Sequence, residues 1–253
     1  MATFTQPPSN FHPSVSGRDH AVIMGGSSGL GLATAQRLAA SGMQVTITGR
    51  GRERLEAARA SIGGDASAIE LDACDAGAVR VFFENLGRFD HLVLALGSGR
   101  GFGPFATLDL GEVLGGFEAK AMPHLLCAQA ALATIRSDGS ITFVTAVSAQ
   151  MASPGTVGLA AINGALSCAV PVLAAELRPL RVNAVSPGVV ATPWWDFLPA
   201  DQREAAFASF AAKTPVGRVG ASDDLAKAIA FLIDDSFMTG HVMVCDGGLR
   251  LAA

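Results

Sequence analysis

Three groups of residues have types and spacings that could do chemistry. The first is Met24-Gly-Gly-Ser-Ser-Gly-Leu-Gly31, where Gly25, Gly26, Gly29 and Gly31 frame Ser27, Ser28 and Leu30 in a Gly-x-x-x-Gly-x-Gly spacing. Glycines in such a run let the chain turn sharply and bring backbone amides close to a ligand, and the unpaired N–H groups opening a following helix favour an anion. A dinucleotide pyrophosphate meets that demand; a tight turn with no ligand is the alternative. The second group is Arg50 with Arg52, at the end of an apolar run where an acid would accept from an adenosine ribose 2′-hydroxyl. Basic residues there suit a 2′-phosphate, through charge-assisted and bidentate contacts, or else form a solvated pair opening a helix over Glu53 to Ser61. The third group is Lys120 and His124, one helical turn apart. A histidine in so apolar a stretch reads as structural, while Lys120 is either a group of the site or an exposed helix lysine beside Glu118.

The elements that must position these groups alternate. Ala21 to Met24 reads as a buried strand, followed by the glycine turn and a helix with Leu30, Ala33 and Leu38 at helical spacing. Met43 to Thr48 and Ala66 to Leu71 follow as strands; Asp72 after the latter either accepts from an adenine amino group or caps its own loop, and Asp75 N-caps a helix over Ala76 to Leu86. His91 to Ala95 is a fourth strand, ending in the glycine-rich stretch Leu96 to Pro104 where substrate contacts are expected. A helical region covers Leu110 to Ile135, Asp138-Gly139 turns into a strand over Ser140 to Val147, and an apolar helix spans Val157 to Leu177. Arg181 to Ser186 and His241 to Cys245 are the last strands, with a helix over Asp223 to Ile233. Between them, Val189 to Ala221 carries Trp194, Trp195, Phe197, Phe207 and Phe210, as a substrate lid or as plain packing. Strands alternating with helices imply one α/β domain over 18–253, a doubly wound parallel sheet of about seven strands covered on both faces. Residues 1–17 read as a mobile arm.

Composition sets the partner class. At 253 residues the chain suits a single domain with a large core; half of it is apolar, 16% is charged and the net charge is −4, so no nucleic-acid partner is expected and a small molecule is. Cys74, Cys127, Cys168 and Cys245 stand apart with no Cys-x-x-Cys, which reads as reduced core cysteines of a cytoplasmic protein without a metal site. The N-terminal stretch lacks a basic segment followed by an apolar one, so no secretory signal is expected. Val157 to Leu177 is apolar enough to raise a membrane span, but it contains Asn163, Gly164, Pro171 and Glu176, and a helix buried on the sheet or a sister subunit is the better reading.

Taken together, these residues resemble the short-chain dehydrogenase/reductase family over nearly the whole chain. The glycine turn matches the family's cofactor turn, with Met24 where Thr is usual; Asp72 sits where its adenine-contacting Asp sits; Arg181 to Thr192 matches its Asn-x-x-x-Pro-Gly-x-x-x-Thr segment; and Val244 to Gly248 matches its C-terminal strand. The resemblance implies a Rossmann-type fold, a homotetramer or homodimer, and an NAD(P) cofactor held along Gly25, Ser27 to Gly31, Asp72, Ala73, Leu96, Gly97, Pro187, Gly188, Val190 and Thr192. Arg50 and Arg52 resemble the NADP-preferring members, so NADP(H) is favoured over NAD(H).

The same resemblance breaks at the chemistry. Family members use a Ser, a Tyr-x-x-x-Lys pair and an Asn on the preceding long helix, yet this chain contains no tyrosine. Aligning Leu159 to Leu166 on that motif puts Leu159 at the Tyr, Asn163 at the Lys and Ala146 at the Ser, while Lys120 takes the Asn place. The amine and the amide are thereby exchanged between two helices. Hydride delivery to a ketone makes an alkoxide, and each missing proton donor or oxyanion donor is worth roughly 10²–10⁴ in rate. Lys120, Asn163 and Ser148 are the candidate catalytic residues, with Thr145, Ser98 and His124 as other donors nearby. Three functions fit: an NADP(H)-dependent oxidoreductase acting on an imine, an activated alkene or a similar small molecule; a non-redox enzyme performing cyclisation or elimination in the same pocket; or a catalytically silent cofactor-binding subunit.

Overall fold

The computed structural model describes residues 17–252, so the arm expected over 1–17 lies outside the described residues apart from Gly17. Seven strands form one all-parallel sheet in the order β3-β2-β1-β4-β5-β6-β7. They are β1 His20–Met24, β2 Gln44–Gly49, β3 Ser67–Glu70, β4 Phe89–Leu94, β5 Ile135–Val144, β6 Arg181–Pro187 and β7 Val242–Cys245. The helices are α1 Gly29–Ala40, α2 Arg52–Ile62, α3 Ala76–Leu86, α4 Leu110–Gly116, α5 Met122–Ala131, α6 Val157–Glu176, α7 Ala200–Lys213 and α8 Ser222–Asp234.

Strand β1 shows why the sheet is covered twice. Val22 and Met24 enter one apolar cluster with Phe83, Leu92, Phe143 and Leu166, while Ala21 and Ile23 enter another with Val45, Val185, Leu225 and Ile229. Alternate side chains leave opposite faces of a strand, so a run buried on both faces needs helices on both. Register brings the carboxyl ends level, because Met24 pairs with both Thr48 and Leu94, and Leu94 with Phe143. Strand order reverses between β1 and β4, and a crevice at that edge is where ligands bind in such sheets.

Two sequence boundaries move. The strand expected from Ser140 begins at Ile135, and its pairing with β4 slips between Phe89 and His91. Gly139 allows the slip, since a Cβ there would stand 2.0 Å from the Asp90 carbonyl oxygen. The strand also ends at Val144, and Val147–Ala149 is a short 3₁₀ turn. The long helical region is interrupted as well: Phe117–Ala121 forms a π-turn in which the Met122 N–H reaches the Phe117 carbonyl. Pro123 explains it, because a proline has no N–H and its ring crowds the carbonyl four residues back, so the helix widens just before it.

Helix α6 is, among the described residues, the one helix long and apolar enough to cross a membrane. Here Ile162, Asn163, Leu166, Val170 and Ala174 are buried, and Ile162, Leu166, Val170 and Ala174 join the core cluster on that face of the sheet.

Candidate functional site

The glycine turn is built by close backbone approach. Gly25 has φ of +82°, and the N–H groups of Gly25 and Gly26 donate to the Thr48 carbonyl at 3.1 and 2.9 Å. A Cβ on Gly25 would lie 2.7 Å from the Ala95 oxygen, and one on Gly31 would lie 2.2 Å from the Gly25 oxygen. These positions admit no side chain, so the start of α1 is pressed onto the turn. Ser28 caps α1 with extended backbone but no side-chain hydrogen bond, and the first turn of α1 contains no acid. The orphan N–H donors of the helix start are therefore left for an external anion, as a pyrophosphate requires.

Beside this turn, Arg50, Glu70, Leu71, Asp72, Asp75 and Ala78 line a cavity of about 330 Å³. Arg50 is exposed and enters no ion pair among the described residues, and it lines the cavity where a phosphate would lie. Arg52 is different: it lies on α2, 84% exposed, with Nε 3.5 Å from Glu70. The two form an exposed surface pair, which brings the Glu70 carboxylate to the cavity wall. Asp72 caps its own loop, one carboxylate oxygen accepting from the Cys74 N–H at 3.0 Å, and it also lines the cavity. Asp75 caps α3 as expected, accepting from Gly77 and Ala78. Ala73 is buried beneath, and Ser27 Oγ lies over Gly49, where a Cβ would come within 3.0 Å of it.

The opposite wall comes from the segment after β6. Gly188 lies against Asp246, with room for no Cβ, and Val190 is bridged to Gly220. Thr192 faces Gly29 across the cleft, and Trp194 lies over Gly97 and Gly99, whose Cβ positions are 3.5 Å from its indole. Trp195 donates from Nε1 to the Val190 carbonyl at 3.1 Å and packs on Phe207 and Phe210 of α7. The aromatics are a self-packed strap lying on the loop after β4, as the packing reading expects. Gly97 and Gly99, lacking side chains, leave the room that Trp194 occupies, and the segment after β6 also contains the helix α7. Leu96 leads into this loop and packs on the core.

At the far end stand the candidate catalytic residues. Lys120 is only 8% exposed, whereas Glu118 faces solvent, so the exposed-lysine reading is overturned. Its Nζ donates to the Thr145 carbonyl at 3.3 Å, and burial pulls its pKa down to about 8. His124 is fully buried, with Nδ1 2.8 Å from the Lys120 carbonyl and Nε2 3.0 Å from the Leu94 carbonyl. Two carbonyls favour an imidazolium, but burial, assisted by the Lys120 charge, outweighs them and lowers its pKa to about 3. The neutral ring has one N–H and donates to only one of these carbonyls, and it packs between the π-turn and the end of β4 beside Lys120.

Asn163 and Ser148 come together. Asn163 Nδ2 donates to Ser148 Oγ at 3.2 Å and to the Leu159 carbonyl at 2.9 Å, while its Oδ1 is buried without a partner. Ser148 is buried in the 3₁₀ turn, not on a strand, and reaches Asn163 with no loop shift. Ala146 and half-buried Leu159 offer no donor side chain. Thr145 drops out of the candidates because its hydroxyl donates to the Val185 carbonyl at 3.3 Å. Ser98 accepts from the Arg100 N–H at 3.2 Å, in a loop fastened by the Arg100–Glu112 pair. The expectation of four core cysteines is corrected as well: only Cys127 is buried, while Cys74 and Cys168 are exposed.

A doubly wound parallel sheet with a glycine turn at its switch point and a strap over its carboxyl edge defines a nucleotide-binding α/β protein of the Rossmann type. A family model described as enoyl-(acyl carrier protein) reductase matches residues 25–250. A 3-oxoacyl-[acyl-carrier-protein] reductase of Bos taurus is 32% identical, over 90% of this chain and 97% of its own. An uncharacterized oxidoreductase of Methylorubrum extorquens is 33% identical, over 91% and 97%. Among solved structures, a small-chain dehydrogenase in complex with NADPH superposes with a TM-score of 0.80 at 30% identity, over 92% of this chain and 99% of that one. The chain belongs to the short-chain dehydrogenase/reductase family of oxidoreductases.

Proposed function

We propose that this protein is an NADP(H)-dependent oxidoreductase that delivers hydride to an imine, an activated alkene or a similar small molecule, and does not use the tyrosine-dependent ketone chemistry of its family. The observation that carries the reading is an intact dinucleotide cleft joined to a site with no tyrosine in the chain to serve it. The residues present fit the cofactor: the glycine cradle and the uncapped start of α1 suit its pyrophosphate, Asp72 its adenine, and Arg50 a 2′-phosphate. A solved relative described as holding NADPH supports the same choice. When bound, a reduced nicotinamide supplies the hydride.

The chain's own residues then orient and screen. The Thr192–Trp194 strap covers the cleft and keeps water from it, Lys120 holds positive charge beside the end of β5, and Asn163 aligns Ser148. A lysine brought by burial to about 8 is charged at neutral pH yet near enough to neutrality to yield a proton. Leu114 on α4, Met122 on α5 and Val172 on α6 are large apolar side chains left exposed, which supports a homodimer or homotetramer. Four unpaired cysteines support a cytoplasmic setting.

The test is binding of NADPH and NADH followed by fluorescence, then NADPH consumption on matched ketone, imine and enone panels. Binding of NADPH in preference to NADH, with turnover confined to imines or enones, is expected. Failure to bind either dinucleotide, or ketone reduction at the rate of the other panels, would overturn the reading.

A further inference from the structure

The cavity beside the glycine turn is lined by one cation, Arg50, and three acids, and the acids are not alike. Asp72 accepts from the Cys74 N–H at 3.0 Å, and Asp75, as the cap of α3, accepts from the N–H groups of Gly77 and Ala78 at 2.9 and 3.0 Å. Both carboxylates are committed to backbone donors that shape their own loop. Glu70 lines the same cavity, yet among the described residues its carboxylate meets only the Arg52 Nε, at 3.5 Å. An exposed pair at that distance contributes little to stability, so the fold does not account for this acid.

Its place is fixed by the sheet. Strand β3 is an edge strand whose register pairs Glu70 with Gly49, and the Leu71 N–H donates to the Gly49 carbonyl at 2.9 Å. Paired strands lie about 4.8 Å apart, so the last residue of β3 stands beside the last residue of β2, one position before Arg50. A base and an acid thus reach one cavity from adjacent strand ends. Arg52, the first residue of α2, pairs with Glu70 and does not line that cavity. A charge on an exposed edge strand also discourages pairing with another chain, but either sign serves that purpose. At Glu70 the sign matters, because its neighbour Arg50 faces the place of a phosphate.

Resting on the reading of NADP(H) as the cofactor, we propose that Glu70 is a specificity-determining residue that opposes the 2′-phosphate. It acts in two ways. Its carboxylate repels a phosphate monoester, which carries about −1.5 to −2 charge at neutral pH, when that group enters the same cavity. It also holds Arg52 in a pair, so that a guanidinium able to form charge-assisted bonds to the phosphate is shared with an internal acid. The 2′-hydroxyl of NAD(H) meets no such repulsion, since a carboxylate is the acceptor such a hydroxyl takes. The chain therefore prefers NADP(H) by less than two arginines at this position would give, and it retains measurable affinity for NAD(H).

The test is fluorescence titration of the full-length protein with NADPH and NADH, the parent beside Glu70→Gln and Glu70→Ala. Both variants remove the charge, the first keeping the side chain's shape and the second not. Each should tighten NADPH by about threefold to tenfold and leave NADH within about twofold of the parent. In an Arg52→Ala background the gain from Glu70→Gln should shrink, the remainder being repulsion by the carboxylate itself. Salt at about 1 M should shrink it as well, because the screening length there falls to about 3 Å. An unchanged or reduced preference for NADPH in both Glu70 variants, or equal tightening of the two dinucleotides, would overturn the proposal and leave the cofactor reading in place. A gain undiminished by Arg52→Ala would overturn the part given to Arg52. Parent and variants that all bind neither dinucleotide would overturn the proposal together with the cofactor reading. Melting curves check that the variants fold.

Discussion

The two ends of the cleft are built on different principles. At the β1–α1 turn the ligand preference lies in the backbone: Gly25 and Gly31 have no room for a Cβ, and no side chain caps the start of α1. At the end of β5 it lies in side chains, with Lys120, Ser148 and Asn163 held by a π-turn, a 3₁₀ turn and a helix that approach from three parts of the chain. A backbone site tolerates little change because each glycine is also a packing contact. A side-chain site can exchange amine for amide, or hydroxyl for methyl, while the sheet beneath stays the same. One family can therefore keep its cofactor turn and vary its chemistry.

The sharpest way to break this contrast is Gly31→Val. With its Cβ 2.2 Å from the Gly25 oxygen, the variant must shift backbone, costing about 1–3 kcal/mol of overpacking. Loss of measurable NADPH binding is expected by fluorescence titration, and unchanged affinity would show that the turn is not backbone-limited.

At the other end, Lys120→Met should stabilise the protein while removing its chemistry. The folded pKa of about 8 lies below the ordinary lysine value of 10.5, so the cost of burying the charge is present in full below about 8 and relieved as pH rises toward 10.5. Replacing the amine should raise unfolding stability at pH 7 by on the order of 3 kcal/mol, and the gap between variant and parent should close by about pH 10.5 in denaturant titrations. A destabilised variant at pH 7 would mean that Lys120 is structural.

The smallest effect is expected at Arg50, an exposed side chain whose contact the backbone does not enforce. Arg50→Asp should weaken NADPH by about tenfold to about a hundredfold, the worth of one hydrogen bond to a charged group, and leave NADH binding near its parent value. Arg52→Ala should weaken NADPH less than Arg50→Asp does, since Arg52 also pairs with Glu70 at 3.5 Å. Equal loss of both cofactors in the Arg50 variant would remove the 2′-phosphate assignment.

What the chain alone determined is what depends on neighbours in sequence. Strand–helix alternation follows from the period of apolar residues, the β1 turn from four glycines within seven positions, and the α3 cap from Asp75. The absence of tyrosine was also legible at once. Other features required the tertiary structure. The stretch Leu110 to Ile135 read as one helix, whereas its π-turn before Pro123 places Lys120 and His124 inward, with His124 against the Leu94 carbonyl 30 residues away. The Asn163–Ser148 bond, the Trp194 seat on Gly97 and Gly99, and the capture of Arg52 by Glu70 join residues whose distance in sequence carries no record of their approach. Local pattern specifies the elements, but burial and pairing at the site are set when the sheet brings their ends to one edge.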